Sequence, residues 1–322
     1  MKAKKIIFTI LALAIIIGIC VVIGISGNKK NNKNNGNTKY RVVASNFASY
    51  DFLRAIIGDN KNVELTFLIG PGKDAHSYDL TAQNLITIQN ADLFVYIGGE
   101  MEKWSDKVLE SIKTDDTKVI CIADFANKIE EQDVDGAEEE EEEEEEGAFD
   151  EHIWTSPENA IKMVKALEKA MEELDSSNSS KYKENAEKYI TQIKDIDSKI
   201  QNIVDNKVRD RLIFADKMPM QYFINYYDLK VSAAFNGCST ETEPSAKTIA
   251  YLQNKVKEEK IPVVLYIELN PGKVAQTIAD ETGAKTMQIQ TLHNVSLDDF
   301  NNGETWISLM TRNIDVLKKA LQ

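Results

Sequence analysis

Two hydrophobic periods take turns along this chain. Short runs rich in β-branched and aromatic residues at 41–45, 63–69, 92–97 and 118–123 predict strands. Between them, apolar residues three and four apart predict helices over 47–57, from a Thr81 cap to 90, and over 101–113. The succession resumes with strands at 212–215, 230–234, 263–268 and 285–290 and helices at 220–227, 246–260, 272–282 and 305–321. Regular strand–helix alternation is the pattern of a parallel sheet, because a parallel crossover needs a connection of about helix length. The chain is therefore predicted to be α/β, with two four-stranded parallel-sheet lobes.

The lobes are separated by two helical patterns. One runs from Pro157 to about Leu174, with Ser156 at the N-cap and Pro157 at the first helical position. After a polar break at 175–180, Tyr182, Ala186, Tyr189, Ile193, Ile196, Ile200 and Ile203 recur at alternating spacings of four and three, marking one face of a long helix. Such a stripe can be a coiled-coil dimer seam. Lying between two α/β halves it reads better as a rigid intramolecular strut, and a monomer is expected. The expected boundaries are a membrane anchor or signal segment at 1–27 and a polar tether at 28–39. An N-terminal lobe at 40–178 follows, with an acidic loop at 130–151, then a linking helix at 179–206 and a C-terminal lobe at 207–322.

The leader sharpens the location. Lys2, Lys4 and Lys5 precede an apolar run from Ile6 to Ile25, about the 20 residues a membrane span needs. Lipid attachment at Cys20 is the alternative, but Ile19 stands before it where a small residue is expected, so an uncleaved anchor is preferred. With no second span in the sequence, the body is expected on the extracytoplasmic face.

Charge changes the picture only once it is located. The net charge is −14, yet residues 129–151 carry fifteen Asp and Glu and no Lys or Arg, which leaves 37 acidic against 38 basic residues elsewhere. Nine of the fifteen are the consecutive glutamates Glu138 to Glu146, which cannot bury an apolar face. They read either as a solvated spacer or as a weak collector of cations. No basic stripe with interleaved aromatics points to nucleic acid. Cys20, Cys121 and Cys238 lack metal-type CxxC spacing. A disulfide between Cys121 and Cys238 stays open.

The chain has only three histidines, and His76, His152 and His293 each fall in a loop beyond a predicted strand. Ligands of open parallel sheets bind beyond the carboxyl ends of strands. Three neutral imidazoles with one oxygen make a tetrahedral site suited to zinc, whereas manganese would favour more carboxylate. Asp216, expected just after the first strand of the second lobe, is the candidate fourth ligand. Glu241, Glu243 or water are the alternatives, and Glu268 is a candidate to orient a ligand histidine. Trp104 and Trp154 read as wall or core aromatics. Affinity should fall as pH drops below about 6.5, where imidazole protonates. No HExxH helix, Walker loop or GxSxG elbow is present. A zinc hydrolase is thus a weaker alternative.

At these residues the chain resembles a known family. Pro71-Gly72-Lys73-Asp74-Ala75-His76-Ser77-Tyr78-Asp79 is similar to the PG-x-x-x-H-x-Y-E loop of zinc/manganese solute-binding proteins of ABC transporters. Glu151-His152-Ile153-Trp154-Thr155-Ser156-Pro157 resembles their second ligand motif, and His293 with Leu309-Met310 fits the last ligand loop and terminal helix. The resemblance spans about Tyr40 to Gln322. It implies two lobes, a rigid linking helix, Zn2+ (alternatively Mn2+) bound in the inter-lobe cleft and delivery to a membrane permease. The zinc branch is favoured, and a surface adhesin of similar fold is the other alternative. The sequence departs from the pattern at Ala75, Asp79 and Leu80. It also carries Lys217 about where the family has a third ligand, and its acidic loop is all glutamate where zinc members often have histidines.

Overall fold

In the computed structural model, residues 39–112, 117–138, 148–239 and 243–322 are described. The expected anchor, the tether up to residue 38, the glutamates from 139 to 146 and Glu241 lie outside them. No helix among the described residues is long and apolar enough to cross a membrane.

Every predicted strand forms. The first sheet holds β1 (Tyr40–Ala44), β2 (Val63–Phe67), β3 (Leu93–Tyr96) and β4 (Lys118–Cys121), all parallel in the order β2-β1-β3-β4. The second holds β5 (Arg211–Lys217), β6 (Lys230–Phe235), β7 (Val263–Ile267) and β8 (Lys285–Ile289), parallel in the order β6-β5-β7-β8. Both sheets reverse their winding direction beside their first strand, which opens a crevice at the carboxyl ends.

Around the first sheet lie α1 (Phe47–Ile57), α2 (Ala82–Gln89), α3 (Trp104–Ser111) and α4 (Pro157–Leu174). The second carries α6 (Gln221–Tyr226), α7 (Ala246–Glu259), α8 (Lys273–Thr282), a short α9 (Leu297–Asn301) that the pattern did not predict, and α10 (Trp306–Leu321). Ser156 caps its helix as the sequence predicts, and Ser245 and Thr305 do the same elsewhere; each accepts the N–H three residues on, at Asn159, Thr248 and Ser308.

The linking helix α5 (Ser179–Asp205) runs between the two sets. Its whole predicted stripe, Tyr182 to Ile203, is buried within the chain against α1, α4 and α10. Each of its four isoleucines contributes roughly 1.5–3 kcal/mol by leaving water. The stripe is therefore spent on an internal strut, not a seam. Asp51 of α1 ties the three helices together: its Oδ2 accepts the Tyr189 hydroxyl (2.5 Å) and the Trp306 N–H (2.7 Å), while Oδ1 accepts Arg54 Nη2 (2.5 Å).

The base of the acidic loop is ordered. Glu130 bridges Phe149, and Asp135 pairs with Ser232 at the open edge of β6. Ala233 donates to the Asp135 carbonyl (3.1 Å) and Glu138 to the Ala234 carbonyl (3.0 Å). The Asp135 carboxylate accepts from Ser232 Oγ, Tyr251 Oη and Arg211 Nη1. A connection leaving the first sheet thus covers an edge of the second, satisfying backbone groups that an edge strand would expose.

Candidate metal centre

All three histidines are positioned by the same local device. Asp74 Oδ1 accepts the His76 N–H (2.9 Å), Asp150 Oδ1 accepts the His152 N–H (2.7 Å), and Thr291 Oγ1 accepts the His293 N–H (3.4 Å). In each case a side chain two residues earlier closes a turn on the histidine backbone. The third turn is further constrained by Leu292, which is fully buried in the left-handed region at φ 60°.

The turns bring the three rings together. One ring nitrogen from each of His76, His152 and His293 lies within 4.8 Å of the other two, and Nε2 of His76 is 3.4 Å from Nε2 of His152. His293 stands edge-on to both rings, at centroid separations of 4.8 and 5.0 Å. Its Nε2 is buried without a hydrogen-bond partner, an arrangement that costs free energy unless an ion or other polar group meets it.

Two lobes supply the surroundings. Trp154, wholly buried, stacks on His293, and its Nε1 donates to the Thr291 carbonyl (3.0 Å). Trp306 Nε1 donates in turn to the Trp154 carbonyl (3.2 Å). Gly72 N–H donates to the Val295 carbonyl, tying the His76 loop to the His293 loop. Glu268 works on that second loop rather than on an imidazole. Its Oε1 accepts Thr291 Oγ1 (2.7 Å) and Asn294 N–H (3.2 Å), and its Oε2 accepts Thr291 N–H (2.8 Å).

The electrostatics divide the histidines. Burial, followed by the neighbouring His293 and His152, holds His76 well below the usual imidazole range. Burial, then His152 and Lys217, does the same to His293. Both are therefore neutral imidazoles at neutral pH. For His152 burial acts downward, but Asp150, 3.0 Å from Nδ1, outweighs it and holds the imidazole above its usual value. With Nδ1–H donated to Asp150, Nε2 is the nitrogen left for an ion. The Asp-x-His spacing at 74–76 and at 150–152 is visible in the sequence, yet its orienting role was not read there.

Asp216, the expected fourth ligand, is not among the side chains grouped with the three imidazoles. β5 runs two residues further than predicted, so Asp216 lies inside the strand, beside a register shift after Phe214. Its Oδ1 accepts Lys217 N–H (2.8 Å) and its Oδ2 accepts Ile267 N–H (3.2 Å), lacing β5 to β7 at the crevice. Asp216 and Glu243 line an adjoining cavity of ≈ 380 Å³ together with Asp74, Lys217 and Asn270. Lys217 Nζ sits 3.7 Å from Asp74 Oδ2 and acts electrostatically on His76 and His293. Its ammonium faces the cluster from the second lobe and has no lone pair to offer. Cys121 and Cys238 are both free. Three imidazoles around one point, two neutral and one oriented by a carboxylate, form a donor set that fits zinc.

Residues 42–320 match the family described as "Zinc-uptake complex component A periplasmic". The chain belongs to this family. Among curated relatives, the "High-affinity zinc uptake system protein ZnuA" of Bacillus subtilis is 32% identical over 321 residues, spanning 98% of this chain and 96% of that protein. The "Zinc-binding lipoprotein AdcA" of Streptococcus pneumoniae is 30% identical over 294 residues, or 90% of this chain. This chain spans only 57% of AdcA. The crystal structure of the Zn(II)-bound ZnuA-like domain of that AdcA superposes with a TM-score of 0.73 at 27% identity, covering 88% of this chain and 99% of the domain. The two-lobed α/β architecture and the family resemblance carried by the histidine loops are thereby borne out.

Proposed function

We propose that this family member is an extracytoplasmic carrier that binds Zn2+ through His76, His152 and His293 and hands it to the permease of an ABC importer. The observation that carries the reading is the convergence of three ring nitrogens within 4.8 Å, one of them buried and unpartnered. The names of the zinc-uptake and zinc-binding relatives support the choice of zinc, while a donor set short of carboxylate disfavours Mn2+ as the cargo. We read the chain as a carrier rather than an enzyme. It works as a monomer held at the membrane by its N-terminal segment or by lipid on Cys20, and its lobes divide at 178 and 207 about the linking helix. The test is a competition titration of zinc against manganese on the wild-type chain, His76→Ala and His293→Ala. Sharp loss of zinc affinity in both variants is expected, and near-normal affinity in both would sink the assignment.

A further inference from the structure

A second group of ligand-type side chains also includes His152. Glu151, His152 and Cys238 each offer one ligand atom, and these three atoms also lie within 4.8 Å of one another. Glu151 is 1% exposed and His152 not at all, while Cys238 is half-buried. The thiol donates to Glu151 Oε2 (3.2 Å), and Glu151 Oε1 accepts the Met101 N–H (3.0 Å).

This carboxylate is placed with some cost. Gly99, at φ +81°, leaves room for it: a Cβ there would come within 2.5 Å of the Glu151 side chain. No Lys or Arg among the described residues pairs with Glu151, and Asp150 pairs only with His152. Wholly buried Glu102 lies close enough to feel the Glu151 charge. A buried carboxylate next to a second one and a thiol, with neutral donors as its only partners, has a deficit of positive charge. A divalent cation would supply it.

We propose that Glu151, His152 and Cys238 form a second seat for a thiophilic divalent cation, Zn2+ or Cd2+ by donor chemistry, adjoining the three-histidine cluster. Thiolate with imidazole and carboxylate selects such ions and rejects Mn2+. Because Asp150 holds Nδ1 of His152, Nε2 serves both seats, and they are alternative positions for one ion. Occupation breaks the Cys238 Sγ–H bond and forms an Sγ–metal bond, and the proton leaves to solvent. The seat shares only His152 with the three-histidine cluster, and Glu151 and Cys238 belong to it alone.

Cobalt(II), a spectroscopic stand-in for zinc, tests the seat on the full-length chain kept reduced with a non-thiol reductant. The wild type and His293→Ala are expected to show the near-ultraviolet thiolate-to-cobalt charge-transfer band, and Cys238→Ser to lose it completely. Absence of the band from the wild type, or its persistence in Cys238→Ser through another cysteine, would overturn the proposal. The visible ligand-field bands of Cys238→Ser report the histidine seat separately. If they are missing while the wild-type charge-transfer band is present, the carrier assignment to three histidines fails and the second seat stands.

Discussion

Asp150 offers the sharpest test of how the centre is tuned, because one carboxylate oxygen serves the same histidine twice. Oδ1 accepts both the His152 N–H (2.7 Å) and the ring Nδ1–H (3.0 Å), and the ring is wholly buried. Asp150→Ala removes both acceptors, leaving two buried donors that each cost about 1–3 kcal/mol when unsatisfied. It also frees the ring to turn and lowers its basicity. Loss of such an orienting partner typically weakens metal binding by about 10–100-fold, or ~1.4–2.7 kcal/mol. Asp150→Asn keeps an acceptor oxygen but not the charge, so its loss should fall at the weak end of that range. The pH profile separates the causes. His152 is raised above its usual 6.5, whereas His76 and His293 are depressed and already neutral. Protons therefore compete with metal chiefly at His152, and wild-type affinity should begin to fall with decreasing pH above about 6.5 rather than below it. In Asp150→Ala the largest raising influence on His152 is gone, only the weaker pull of Glu151 and Glu131 is left against burial, and the fall-off should move to lower pH. Competition titrations against a chromogenic zinc chelator across this range measure both effects, with thermal unfolding of the metal-free proteins as the control for folding. An Asp150→Ala protein that folds normally with wild-type affinity and an unshifted pH profile would refute the reasoning.

Three further perturbations probe the frame. Glu102 is pushed up to about 7, chiefly by burial, although Ile97 and Gly98 N–H groups favour its charged form. Its contribution to stability is thus complete below about 4.5 and lost as pH rises through 7, a swing of ~3 kcal/mol. Glu102→Gln should accordingly gain on the wild type as pH rises across that window in urea titrations, and a pH-independent difference would contradict it. Asp51→Ala strips the hub joining α1, α5 and α10 and leaves Arg54 with the Glu304 carbonyl but no carboxylate. A loss of roughly 3–5 kcal/mol is expected in denaturant unfolding, and a loss under about 1 kcal/mol would argue against the hub. Lys217→His exchanges an ammonium facing the cluster for a neutral donor; zinc affinity by competition titration should rise, and a fall would show that Lys217 supports the site instead.

What the sequence determined by itself is what depends on local periodicity. The alternation of strands and helices, the Ser156-Pro157 helix start and the stripe on α5 are set by residues within a turn or two of each other, and they form where predicted to within a few residues. The three histidines were also legible, because a parallel sheet sends every strand-end loop to the same side and none of the three lay elsewhere. Roles that depend on which groups meet across the fold were decided by the tertiary structure. Asp216 looked free at the end of a strand, but the strand continues through it, and the N–H of Ile267 from β7 takes up one oxygen. Glu268 was a candidate to orient a histidine, and it braces the loop that carries His293. Cys238 stands 87 residues from Glu151 in the chain, and no spacing rule connects them, yet they share a hydrogen bond beside His152. Periodicity along a chain fixes which face a side chain leaves from. The choice of partner for a buried carboxylate or thiol is made by distances of about 3 Å between segments far apart in sequence, and those exist only once the lobes have packed.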